Sequence, residues 1–210
     1  MYVYGTIPYH TRQKAARMMV FTQHHNPPTT PITLATVNAF TQITMSASLK
    51  IFAGTWKGRG QVLKRTGEVA ATYTETAVWE ITRATPTFVV YRLHQDTQNA
   101  ETAKPMHTET GFLKILQENG EATMNLCHPF PSGFVNEMSY GKLNGNLLTV
   151  EANDFQRVGS SNSDRSDAKQ VTGFKREYKV VDDKLLYDQY LASGGGELYH
   201  HLHCEMELQK

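Results

Sequence analysis

Beyond Leu49, apolar and polar residues alternate over short runs rich in β-branched and aromatic side chains, the period-2 pattern of strands. Runs 72–81, 87–93, 107–116, 122–126 and 134–140 read as strands. Gly111 marks a bulge or a close backbone approach inside the third. Asn144-Gly145 carries the strongest hairpin signal, because Asn-Gly accepts the positive φ values of a type I′ turn. Asp182-Asp183 centres a second hairpin between 171–181 and 184–191, and 200–208 is the last strand. No long 3.6-period segment follows Phe52, so the βαβ pattern of a parallel sheet is missing. The pattern predicts an all-β antiparallel barrel or sandwich, and a closed barrel of this size can hold one small ligand. The polar segment 159–167 is expected to be a loop near a barrel end.

The first 46 residues do not share this pattern. They hold Arg12, Lys14 and Arg17 and no acid, giving +3, whereas residues 47–210 carry −2. Pro8, Pro27, Pro28 and Pro31 fall within the first 31 residues. Residues 1–46 are therefore expected to be a disordered extension, with the folded domain spanning 47–210. An acid-poor, Arg-containing start also has the look of a transit segment. The expected location is cytoplasmic, or mitochondrial if 1–46 is such a segment. Met45 reads equally as an internal start.

Composition narrows the function. The 210 residues carry a net charge of +1, so no global field attracts nucleic acid. No apolar run approaches the ~18 residues of a spanning helix, and no membrane partner is expected. Cys127 and Cys204 stand far apart, without a CxxC pair, and make neither a disulfide framework nor a structural zinc site.

Nine histidines are the anomaly, three of them in Tyr199-His200-His201-Leu202-His203-Cys204. Imidazole binds transition metals and serves as an axial haem ligand. On a regular strand His201 and His203 share one face and His200 and Cys204 the other. A zinc site would then need distant ligands such as His107 or His128, whereas haem needs a single nitrogen. Spacing alone favours a plainer reading, a polar strand end with solvated histidines. Gly54-Thr55-Trp56-Lys57-Gly58-Arg59-Gly60 fits neither phosphate-loop spacing. It reads as a first barrel strand with Trp56 as a structural anchor and glycines at bent or bulged backbone.

Three segments together resemble the nitrobindin family. Gly54-x-Trp56-x-Gly58-x-Gly60 is similar to its G-x-W-x-G-x-G motif, Met106-His107-Thr108-Glu109-Thr110-Gly111-Phe112 to its Met-His-x-Glu-x-Gly-Phe segment, and His201-Leu202-His203 to its haem-ligating segment. The resemblance covers 49–210. It implies a closed antiparallel barrel of about ten strands, similar to fatty-acid-binding proteins and other calycins. It further implies one haem b per subunit, held in the ferric state, that binds nitric oxide and isomerises peroxynitrite to nitrate. Carried over, His201 is the axial ligand of the iron. Met106 and His107 line the cavity beside the haem, and His128 holds another wall position. Phe174 makes an apolar haem contact, and Leu191 stands where many relatives have Met. Small molecules are the expected partners, with a homodimer left open. Some animal relatives join this domain to a THAP-type zinc finger, but residues 1–126 contain no cysteine for one, so no nucleic-acid partner is expected.

The chain also departs from the family pattern. Gln61-Val62-Leu63 replaces a glycine and an aromatic-proline pair, and Ser193-Gly194-Gly195-Gly196 replaces a threonine-rich turn. Alternation conflicts with the carried-over ligand as well. Leu202, Cys204, Met206 and Leu208 form the apolar face, which turns His201 outward on a regular strand. An inward His201 requires a bulge near 200–202, since one extra residue flips the register. The rival reading is a haem-free carrier of a fatty acid or another small apolar ligand, which would grip a carboxylate with an internal Arg–Tyr cluster.

Overall fold

The structure, a computed structural model, describes residues 47–130, 134–158 and 171–210. The extension 1–46 and the polar segment 159–167 lie outside the described residues. A 3-10 turn (Ala47–Lys50) precedes ten strands: β1 (Gly54–Leu63), β2 (Val69–Ala84), β3 (Phe88–Asn99), β4 (Pro105–Leu116), β5 (Glu121–Phe130), β6 (Phe134–Asn144), β7 (Leu147–Val158), β8 (Val171–Val181), β9 (Lys184–Ser193) and β10 (Tyr199–Leu208). Each strand pairs antiparallel with its sequence neighbour, and β10 pairs with β1 to close the barrel. The runs read from alternation lie inside these strands, except that the run 87–93 starts one residue ahead of β3. Their ends extend further because barrel strands stay paired into the turns.

The two hairpin turns differ in type. The loop between β6 and β7 is Gly145-Asn146, with positive φ at Gly145 only (60°), the pattern of a II′ turn rather than the I′ read from Asn144-Gly145. Asp182 (48°) and Asp183 (60°) both take positive φ, so the I′ geometry sits in the β8–β9 hairpin.

Trp56 is 1% exposed, and its Nε1 donates to the Phe52 carbonyl at 2.8 Å. Of the bent or bulged backbone expected at Gly58 and Gly60, no bulge is found. Register runs unbroken through Gly58 and Gly60 on both sides of β1, and the shift comes later, at Val62/Leu63. Glycine is needed at position 58 for proximity, because a Cβ there would stand 1.8 Å from the Glu205 carbonyl oxygen of β10. Gly111 is the same case, with the Asn125 carbonyl oxygen 1.9 Å from a built Cβ.

One end of the barrel is filled. Leu49 and Phe52 are buried there, and the Tyr91 hydroxyl donates to the Leu49 carbonyl. From Phe52 an aromatic ladder runs inward. Phe52 packs on Trp79 (5.4 Å), Trp79 edge-on against Tyr178 (5.2 Å), and Tyr178 stacks on Tyr187 (4.6 Å). Such pairs add about 0.5–1.5 kcal/mol each to what their burial contributes. Beyond Tyr187 the interior turns polar and then opens into a cavity.

Candidate functional site

The bulge that an inward His201 requires is present. On β10, His200 pairs with Tyr190 and Leu202 with Gln189, leaving His201 as the extra residue. His201 and Leu202 both face the interior cavity, and inward alternation resumes at Cys204 and Met206. The cavity, of about 330 Å³, has Val62, Met106, Val171, Phe174, Leu191 and Leu202 as apolar walls. Tyr73, Glu75, Gln95, Thr97, His107, Glu109 and Gln189 supply its polar groups.

Thus Met106, His107, Phe174, Leu191 and His201 converge on one cavity. His128 does not line it. The residue is buried one layer behind, with its ring stacked on Phe174 at 6.1 Å and its Nδ1 3.2 Å from His107 Nε2.

Behind His107 lies a buried ionic network. Arg176 is fully buried on β8, and its Nη2 donates to Glu137 Oε2 at 2.9 Å. Its Nη1 lies 3.2 Å from Glu109 and also donates to Tyr187 and Gln189. His107 Nε2 lies 2.8 Å from Glu109 Oε1, and His128 Nε2 lies 3.1 Å from Glu137 Oε2. Burial opposes every one of these charges, but the partners prevail. Arg176 and His128 hold Glu109 well below the usual carboxylate range and bring Glu137 down to about 2. Burial would neutralise His128, yet Glu109 and Glu137 raise it to about 9. At neutral pH two cations face two carboxylates, the balanced state a low-dielectric interior demands.

Glu75 has no such support. Tyr73 and Cys204 stand beside its carboxyl, but burial outweighs them and pushes it up to about 8, so it is protonated at neutral pH. Beside the same cavity, Gln95 Oε1 finds no partner among the described residues. A neutral buried carboxyl and an unpartnered amide oxygen give the cavity polar groups that a guest can engage.

His201 differs from the other cavity imidazole. Burial lowers its pKa, outweighing a hydrogen bond to the Leu63 backbone, so it is neutral with a lone pair to offer. Its Nδ1 lies 3.4 Å from the Tyr199 hydroxyl. His203 points to the outer face, where its Nδ1 lies 2.8 Å from Asp188. A neutral imidazole on an apolar-walled cavity with a polar interior fits haem iron ligation.

The sequence profile of the THAP4-like, heme-binding beta-barrel domain matches residues 45–208. The chain belongs to this family, the nitrobindins. Peroxynitrite isomerase 1 of Rhodococcus jostii is 32% identical over 157 residues, covering 75% of this chain and 80% of that protein. Peroxynitrite isomerase of Nocardia farcinica is 31% identical over 156 residues, covering 74% and 86%. The crystal structure of Rv2717c from M. tuberculosis aligns with a TM-score of 0.58 at 26% identity, covering 79% of this chain and 99% of that one.

Sequence reading missed Glu75, Glu109, Glu137, Arg176 and Gln189 as site residues. A signal existed for two of them. Arg176 falls on the inward period of Phe174 and Tyr178, and Glu75 on that of Tyr73 and Ala77. The carrier reading asked for an internal Arg–Tyr cluster, and Arg176 with Tyr187 is one. Its guanidinium is committed to Glu109, Glu137, Tyr187 and Gln189, which leaves no free fork for a ligand carboxylate.

Proposed function

We propose that this nitrobindin holds one ferric haem b per chain with His201 as the only protein ligand of the iron, binds nitric oxide there, and isomerises peroxynitrite to nitrate. The observation that carries this reading is the bulge at His201, which turns a neutral imidazole with no carboxylate partner into the cavity. The names of the relatives, peroxynitrite isomerases, supply the reaction.

Bound ferric haem supplies the iron centre at which peroxynitrite rearranges. The chain's own residues set the conditions. His201 gives one nitrogen. His107, whose Nε2 lies 2.8 Å from Glu109 Oε1, is tied to that carboxylate and would not compete with His201 for the iron. Met106, Phe174, Leu191 and Leu202 would give the bound group apolar contacts. Glu75, kept neutral by burial, presents no negative charge to an incoming anion.

Titration of the purified chain with hemin, followed by absorption, tests the cofactor. One equivalent should produce a ferric band that His201→Ala lacks. Rapid mixing of the loaded protein with peroxynitrite should then accelerate decay with a higher nitrate yield. Uptake of a fatty acid but no hemin would establish the carrier reading instead.

A further inference from the structure

The bulge that turns His201 inward also rearranges the outer face of the barrel. A regular strand would put His200 and His203 on opposite faces. With one extra residue between them, both project outward and converge on the same atom of β9. His200 Nε2 and His203 Nδ1 each lie 2.8 Å from Asp188 Oδ1. All three ligand atoms lie within 4.8 Å of one another.

We propose that Asp188, His200 and His203 form a solvent-accessible binding site for a divalent transition-metal ion of the zinc class, back to back with the cavity and independent of haem. Two imidazole nitrogens and one carboxylate are borderline donors that suit zinc, cobalt, nickel or copper rather than calcium or magnesium. In the metal-free protein, each ring directs an N–H at the shared carboxylate oxygen. A dication replaces those two protons. Each ring gives up the proton it directs at Asp188 to solvent, its freed lone pair binds the metal, and the other ring nitrogen keeps or takes up a proton.

The surroundings support that switch. Once Nδ1 of His203 binds metal, its Nε2 carries the proton and faces Glu205 Oε1 at 3.8 Å, the outer carboxylate that metal-bound histidines use. The His200 ring is fixed by stacking on Tyr190 at 5.0 Å. All three residues are only half-buried, so water completes the coordination and the ion exchanges freely. The interior set His107, Glu109 and His128 offers a similar spacing, but Arg176 already neutralises its carboxylate at 3.2 Å and repels a cation.

The test is calorimetric titration of the metal-free full chain with Zn²⁺, paired with the visible spectrum of Co²⁺. Wild type should bind one equivalent at this site, and Zn²⁺ should raise its melting temperature by mass action. His203→Ala and Asp188→Asn should each melt like wild type without metal. Each should weaken binding about 100-fold or more, the upper end of what a lost outer partner costs. His128→Gln should leave binding intact. Unchanged affinity in both outer-face variants, no binding by wild type, or a loss confined to His128→Gln would overturn the proposal.

Discussion

Leu202 stands opposite Gln189, where an unbroken β10 would have placed it opposite Asp188. That one-residue displacement separates the cavity histidine from the surface histidines. The three imidazoles should therefore behave differently. His203→Ala should take up hemin as wild type does, because its ring is outside. His107→Ala should also keep the ferric band but change the rate of nitric oxide binding, since it alters the wall of the cavity that His201 shares. Absorption and stopped-flow measurements on both variants decide this. Loss of hemin binding in His203→Ala would refute the register described here.

Replacing Trp56 with Ala should cost about 3–5 kcal/mol, as for other buried aromatics. The Phe52 carbonyl loses its donor in the same step. Denaturant unfolding measures the loss, and normal stability with lost ligand binding would show that Trp56 acts in the site instead.

A chain beginning at Ser46 should melt at the temperature of the full chain. A chain beginning at Gly54 lacks Leu49 and Phe52, both buried at the filled end, and should lose about 3 kcal/mol or more. Scanning calorimetry of the two truncations separates the extension from the plug.

Stability should fall as pH rises from 5 to 9. Glu75 is raised from 4.5 to about 8, so the folded state holds a proton the unfolded state releases, and stability is lost across that window. His128, raised from 6.5 to about 9, contributes fully below pH 6.5 and fades as pH passes 9. Glu137 acts at the acid end: its contribution is present above pH 4.5 and lost as pH falls through 2. Glu75→Gln should flatten the decline between pH 5 and 8, where a fully engaged group changes stability by about 1.4 kcal/mol per pH unit. An unaltered slope in that variant would mean that Glu75 ionises freely.

The strands and their order were legible in the sequence because each buries one face, and alternation records that directly. His201 was not legible that way. Alternation alone points it outward, and only the similarity of the His-Leu-His segment to a known family demanded the bulge. The network around Arg176 escaped for a different reason. Glu109 on β4, Glu137 on β6 and Arg176 on β8 are ordinary charged residues in strand text, and only closure brings them together. Gly58 looked like a bend because sequence shows a missing side chain without showing the Glu205 carbonyl that occupies its place.

Closure through β1 and β10 also fixes an order of events during synthesis. Nine of the ten ladders join strands adjacent in sequence and can form as the chain emerges, whereas the tenth joins Trp56 to Leu208 and must wait for the end. That last strand carries His201. A ribosome-bound chain lacking β10 has an open sheet with two free edges and no His201, so under the ligation proposed above cofactor capture would follow this last, long-range contact rather than guide the earlier ones.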